Sequence, residues 1–214
     1  PTNYIISGGG TGGHIFPALA IADAIKQDNP DAQILFIGAK GKMEMQRVPK
    51  SGYSIKGLWI SGIQRKLDIK NLIFPIKLVF SLINASRIIL KQKPSVVIGT
   101  GGFASAPTLK AAQFLGYPTL VQEQNSYAGV TNKWLGPKAK SICVAYHGMD
   151  KYFPAQYLKL TGNPIRKQLL NNQPDSQTAK KAFNLDSKTT LFILGGSLGS
   201  QRLTQLIIAP LDWF

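Results

Sequence analysis

The sequence predicts an α/β protein built on a parallel, doubly wound sheet, and two observations carry that prediction. Short apolar runs rich in β-branched residues alternate with stretches of helical periodicity along most of the 214 residues, a pattern that covers both faces of a parallel sheet with helices. Three of the runs end in glycines that hand over to a helix-like segment. They are Tyr4-Ile5-Ile6-Ser7 into Gly8 to His14, Ser95-Val96-Val97-Ile98 into Gly99-Thr100-Gly101-Gly102, and Leu191-Phe192-Ile193-Leu194 into Gly195-Gly196-Ser197-Leu198-Gly199. Strand, glycine loop and helix N-terminus together form an anion site, because unpaired N–H groups point at the ligand and a missing Cβ lets it approach. Three such loops at the carboxyl ends of parallel strands point to a phosphate-bearing ligand in a crevice between two α/β units.

The elements follow in order. Tyr4 to Ser7 reads as the first strand, and Pro17 to Lys26 as a helix with proline in its first turn and Leu19, Ile21, Ala22 and Ile25 on its apolar side. Gln33 to Ile37 gives the second strand and Tyr53 to Ile60 a third. Leu72 to Leu90 has the periodicity of a long helix, with Leu72, Ile76, Val79, Phe80 and Ile83 on one face. Val96 to Ile98, Thr119 to Val121 and Ser141 to Ala145 are short buried strands. At Thr161-Gly162-Asn163-Pro164 the texture turns to a joint, followed by the polar stretch Asn171 to Ser176. The N-terminal domain is therefore expected over 1–162. Residues 163–214 read as a linker and the opening of a second domain, with a helix at Thr178 to Phe183 and a strand at Leu191 to Leu194. One strand and two helices cannot complete a second doubly wound sheet, so the chain reads as cut short, in keeping with the absence of Met at position 1.

Charge narrows the choice of partner. Lys+Arg number 25 against 10 Asp+Glu, a formal +15, which favours an anionic partner: nucleic acid, a phosphorylated substrate or an acidic membrane. No recognition helix or stacking motif supports nucleic acid. Cys143 is the single cysteine, so no intrachain disulfide forms, and it reads as a small buried hydrophobe. Asn84-Ala85-Ser86 matches a glycosylation triplet, but no signal peptide precedes it, and a cytoplasmic location is expected.

Gly8-x-Gly10-x-x-Gly13 is formally a dinucleotide fingerprint. A nicotinamide or flavin enzyme also needs an acid at the end of the second strand, where this chain has Gly38-Ala39-Lys40-Gly41-Lys42. No Gly-Lys-Ser/Thr follows any glycine run, and there is no Asp-x-Asp to clamp a metal. His14 closes the first loop. Polarised by a nearby carboxylate it suits a general base on an attacking hydroxyl, and equally it suits a cap or phosphate contact. His147, in Tyr146-His147-Gly148, reads as structural.

Gly9-Gly10-Thr11-Gly12-Gly13-His14-Ile15-Phe16-Pro17-Ala18, Gly101 to Pro107, Glu123-Gln124-Asn125, Thr131-Asn132-Lys133, Gly162-Asn163-Pro164-Ile165-Arg166 and Gly195-Gly196-Ser197 occur in this order. From Tyr4 to about Leu206 the chain thereby resembles the MurG family, bacterial peptidoglycan glycosyltransferases of the GT-B fold. Gln122 stands where many members carry histidine, and Leu198 where many carry glutamine. The resemblance implies two Rossmann-like domains, the second one truncated here. It implies inverting transfer of N-acetylglucosamine from UDP-N-acetylglucosamine to the C4 hydroxyl of the muramyl sugar of lipid I, the undecaprenyl-diphosphate-linked MurNAc-pentapeptide, giving lipid II without metal or cofactor. Carried over by motif, His14 is the candidate base. Thr11, Gly12, Gly13, Asn125, Arg166 and Ser197 would contact the donor, and Gly101 and Gly102 would face the diphosphate of the acceptor. Arg166 also reads as an exposed linker charge and Asn125 as a turn residue.

Between Gln64 and Lys93, Arg65, Lys66, Lys70, Lys77, Arg87, Lys91 and Lys93 surround Leu72, Ile73, Phe74, Ile76, Val79 and Phe80, with Asp68 the lone acid. Lys77, Asn84 and Arg87 interrupt the apolar run, so it does not span a bilayer. The bland reading is a core helix with a basic edge; the expectation is a helix with one face on the sheet and its Leu72 to Ile76 end meeting lipid on the cytoplasmic face of the plasma membrane, as the resemblance implies. A non-catalytic module that grips a polyprenyl diphosphate or an anionic surface is the alternative to the transferase. Residues 1–214 alone are expected to bind UDP-N-acetylglucosamine poorly, since a GT-B second domain builds most of the uridine pocket.

Overall fold

In a computed structural model the described residues are 2–62, 73–166, 169, 171, 173–186, 188–195 and 200–208. The chain divides into two compact units, Pro1–Lys167 and Gln168–Phe214.

The first unit is a seven-stranded sheet in the order β3-β2-β1-β4-β5-β6-β7, every neighbouring pair parallel. Its strands are β1 (Asn3–Gly8), β2 (Gln33–Ala39), β3 (Ser54–Leu58), β4 (Val96–Gly101), β5 (Thr119–Glu123), β6 (Ser141–Val144) and β7 (Leu158–Leu160). The covering helices are α1 (Gly12–Asp28), α2 (Glu44–Lys50), α3 (Phe74–Gln92), α4 (Ser105–Phe114) and α5 (Val130–Leu135). The central strands are apolar at successive positions because both faces are buried. Ile5, Leu35, Ile37 and Val97 enter one core together with Ala85 and Ile89 of α3 and Leu109 of α4. Their alternates Ile6, Phe36 and Ile98 enter the other, against Ile15, Ala18, Leu19 and Ala22 of α1 and Val48 of α2. A parallel sheet order that reverses at β1/β4 leaves a crevice above the carboxyl ends of those two strands. The first two glycine loops sit there.

One expectation fails here for a physical reason. Helix α1 starts at Gly12, so Pro17 is its sixth residue and not part of the first turn. The glycines Gly12 and Gly13 are thus the opening of the helix itself, and proline's missing N–H falls where it would have bonded the Gly13 carbonyl. In α3 the stripe Ile76, Val79, Phe80 and Ile83 is 45 to 54% exposed, and the helix buries Ser81, Ala85 and Ile89 instead. Apolar residues lie on two faces of this helix. The sheet side is taken by the stripe with two small residues, which permits close approach, and Ser81 Oγ donates to Trp59 O at 3.0 Å. Leu72 and the cations Arg65, Lys66 and Lys70 lie outside the described residues.

Cys143 lies on β6 and is only half-buried. Desolvation pushes its thiol up, against smaller lowering effects from Lys159, Ser141 and Thr161. A raised folded-state value favours the neutral thiol, so this contribution to stability is complete below the unfolded pKa of about 8.5 and is lost as pH rises through the folded value. Native protein is expected to react with iodoacetamide more slowly at Cys143 than urea-unfolded protein at the same pH; equal rates would contradict it.

In the second unit, α6 (Ser176–Ala182) is capped by Asp175, whose Oδ1 accepts from Gln177 N at 2.9 Å and Thr178 N at 3.0 Å. The Thr178 hydroxyl and these N–H groups hold that carboxyl below the usual carboxylate range. Helix α7 runs Gln201–Ile208. The expected strand Leu191 to Leu194 is not in a ladder, and all four side chains are exposed. A strand needs a neighbour for its N–H and C=O groups, and the described residues of this unit offer none.

Candidate active site

Five of the motifs meet at the carboxyl ends of β1, β4 and β5. Gly8 pairs with Gly101 across the β1/β4 ladder, and Gly9 N donates to Gly101 O at 3.4 Å. The loop turns on Gly10, at φ +87°. A residue that sequence reading missed holds it in place. Glu44, at the start of α2 and fully buried, accepts from Gly10 N at 3.1 Å and from Ala39 N at 3.0 Å. Its carboxylate occupies the space a Cβ on Gly9 would need, and its stem the space for one on Gly38. The signal available was slight: Glu44 is the single acid between Asp31 and Asp68. Replacing Glu44 by alanine strands the buried Ala39 N–H, a loss of about 1–3 kcal/mol. A urea midpoint unchanged from the parent protein would contradict that role; Glu44→Gln, which keeps one acceptor oxygen, is expected to fall between the two.

With Gly9 and Gly10 N–H groups committed internally, the loop's open donors are those of the helix opening. Thr11 is the exposed N-cap of α1, with no side-chain cap bond. His14 N and Ile15 N both return to Thr11 O, at 3.2 and 3.3 Å. The N–H groups of Gly12 and Gly13, at the first two helical positions, have no acceptor within the helix and face the crevice with the positive end of its dipole.

His14 packs against the second loop. Its Nδ1 is 3.0 Å from Thr100 O and 3.3 Å from Gln124 Oε1. Both partners are acceptors, which assigns the proton to Nδ1 and leaves the Nε2 lone pair free. The orienting group is thus a backbone carbonyl with an amide, and not the carboxylate the sequence suggested. Thr100 is shared further: its carbonyl accepts from Gln124 Nε2 at 2.7 Å and its hydroxyl donates to His14 O at 2.7 Å. Gly101 and Gly102, at φ +99° and +78°, give the imidazole room; a Cβ on Gly101 would lie 2.9 Å from His14 Nδ1, and one on Gly102 would run into Gly9 O.

Asn125 follows β5, exposed, with its N and Nδ2 donating to Glu123 Oε1 at 3.0 and 3.1 Å. The other oxygen of buried Glu123 accepts from Gly129 N and Asn132 Nδ2, both at 2.9 Å. One carboxylate thereby shapes the whole turn from Asn125 to Asn132. Gln122 is buried and accepts from Gln124 Nε2. Asn163 Nδ2 donates to Gln124 O at 3.2 Å. This brings the next motif in, and the Arg166 guanidinium lies 4.7 Å above the ring of Phe16 on α1. Arg166 is therefore a half-buried cation beside the first glycine loop. His147 is exposed and apart from this network. Ser197 and Leu198, in the third glycine run, lie outside the described residues.

Residues 4–144 match the model of the glycosyltransferase family 28 N-terminal domain. The chain belongs to that family. It is 54% identical over 211 residues to the UDP-N-acetylglucosamine–N-acetylmuramyl-(pentapeptide) pyrophosphoryl-undecaprenol N-acetylglucosamine transferase of Flavobacterium psychrophilum, covering 98% of this chain and 58% of that protein. To the protein of the same name from Bacteroides fragilis it is 57% identical over 209 residues, with 97% and 55% covered. The family 28 chain thus spans a little over half the length of the curated relatives it matches. Among solved structures it resembles MurG of Acinetobacter baumannii, at 29% identity and TM-score 0.76, over 100% of this chain and 58% of that one. A UDP-GlcNAc 2-epimerase from Neisseria meningitidis, at 10% identity and TM-score 0.65 over 99% of this chain and 62% of that one, shares the fold.

Proposed function

We propose that this chain is the acceptor-binding part of an inverting N-acetylglucosaminyltransferase that converts lipid I to lipid II. The observation that carries the reading is His14, held by Thr100 and Gln124 with Nε2 free, beside the open N–H groups of Gly12 and Gly13. The C4 hydroxyl of the muramyl sugar attacks C1 of N-acetylglucosamine, its proton passing to Nε2. The bond from C1 to the β-phosphate oxygen breaks, and UDP leaves with the electron pair, so C1 inverts. Charge growing on the departing diphosphate meets donors already in place. Those donors are Gly12 and Gly13 N–H, the Thr11 hydroxyl, Asn125 and the Arg166 guanidinium, whose stacking on Phe16 orients it. Gly101 and Gly102 face the diphosphate of the acceptor. On this reading the acceptor domain covers 1–162, and residues 163–214 lead into the donor domain. The relatives' names, which give the donor sugar, the pentapeptide and pyrophosphoryl-undecaprenol, support the same assignment. The test is transfer of labelled N-acetylglucosamine to a lipid I analogue by the protein that contains this chain; no labelled lipid product would overturn it.

We also propose a peripheral seat on an anionic membrane at the cytoplasmic face. Among the described residues no helix is long and apolar enough to cross a bilayer. Helix α3 nevertheless exposes Ile73, Ile76, Val79, Phe80 and Ile83, next to Trp59, a contiguous patch of the kind that marks an interaction surface. Lys77 Nζ sits 5.6 Å above the Trp59 ring, and Arg87 and Lys91 lie exposed further along the helix. Each cation near an anionic leaflet contributes roughly 1 kcal/mol and is screened by salt. The chain is expected to float with phosphatidylglycerol-rich vesicles at low salt. An Ile76→Glu, Phe80→Glu double variant is expected to stay behind; flotation of the variant like the parent would remove α3 from the contact.

A further inference from the structure

On the α3 side of the second glycine loop lies an apolar cavity of about 420 Å³, walled by Ile60, Phe74, Leu78, Phe103, Val130 and Trp134. Its lining is almost wholly hydrocarbon and aromatic, and its volume is at the small end of the range for organic ligands, about 300–1,000 Å³. Two features of its position say what it takes. Phe103 directly follows Gly102 in the chain, and its ring packs against Gly10 and Gly62, so one residue forms both the wall of the cavity and the flank of the glycine loops. The opposite wall, Phe74 and Leu78, belongs to the first two turns of α3, the turns that also expose Ile73, Ile76 and Phe80. The cavity therefore lies between the turn at Gly101–Gly102 and the apolar surface of α3.

We propose that this cavity holds the first few isoprene units of a polyprenyl diphosphate whose diphosphate rests at the Gly101–Gly102 turn. The inference depends on the acceptor reading above and adds a subsite to it. A diphosphate bound at that turn places its ester-linked chain one residue from the cavity, and burying those carbons there removes them from water. The volume admits only the proximal units. The remainder of a long chain leaves past α3, on the surface assigned to the bilayer. A second consequence is selectivity: a soluble sugar nucleotide has no hydrocarbon to place in the cavity, so it gains nothing at this loop.

Calorimetry on the 1–214 chain with inorganic diphosphate, farnesol and farnesyl diphosphate tests this. Farnesyl diphosphate is expected to bind at least tenfold tighter than either of the others. Ala106→Leu fills the cavity from α4, and Val130→Asp, at an exposed rim position that the fold does not depend on, makes the wall polar. Either is expected to reduce farnesyl diphosphate affinity to within about twofold of that for inorganic diphosphate, which itself stays unchanged. Equal affinity of the parent chain for the two diphosphates, or variants that bind farnesyl diphosphate like the parent, would overturn the subsite and leave the acceptor reading standing. Farnesol binding as tightly as farnesyl diphosphate would overturn the link between cavity and loop. Failure of both diphosphates to bind would overturn the acceptor reading itself.

Discussion

On the proposed transferase reading, replacing His14 by alanine in the protein that contains this chain is expected to lower kcat by about 10²–10⁴-fold, the usual contribution of a positioned general base, with little change in KM for lipid I. The imidazole touches the rest of the site mainly through Nδ1, which donates to Thr100 O. Its removal therefore takes away the proton acceptor and leaves the open donors of Gly12 and Gly13 as they were. The competing role, a phosphate contact, makes the opposite forecast: KM for the donor or the acceptor would rise, and kcat at saturation would hold. Steady-state rates with each substrate varied in turn separate the two. Unchanged kcat would dismiss His14 as the base. Gln124→Ala gives a milder version of the same experiment. It removes the 3.3 Å Nδ1 contact and the bond to Thr100 O but leaves the carbonyl to set the tautomer.

How far the sequence carried the structure depended on which force decided each feature. The central strands and their order of appearance were legible because burial on both faces demands unbroken apolar runs. The first two glycine loops were legible because φ values near +80° and +100° are open to few other residues. Burial alone was a poor guide in α3, where two faces of the helix are apolar and the choice between them rests on the size of Ser81 and Ala85. Long-range polar pairing left no local trace. Glu44 reaches back 34 residues to Gly10, Asn163 reaches back 39 to Gln124, and His14 is oriented from 86 residues away by Thr100. The Leu191–Leu194 segment shows the converse limit: strand propensity sets a preference, and a ladder forms only where a neighbouring strand accepts it.

Gly102→Ala is expected to destabilise the first unit by well over 2 kcal/mol and to disable the site together with the fold. The φ of +78° alone costs an L-residue roughly 1–2 kcal/mol. The larger effect is steric. The new methyl would collide with the carbonyl oxygen of Gly9, and no side-chain rotation relieves a clash between Cβ and backbone; it would also lie 3.1 Å from His14 Cδ2. One of the two glycine loops must move, and the Gly9 N–H bond to Gly101 O moves with it. Gly116→Ala supplies the control, since Gly116 has the same φ of +78° with nothing within 4 Å of a Cβ. That variant is expected to lose only the conformational part. Urea denaturation of both variants reads the difference as the worth of the close approach between the loops. If the two midpoints shifted equally, the first and second glycine loops would not be packed backbone against backbone, and the placement of His14 between them would fall as well.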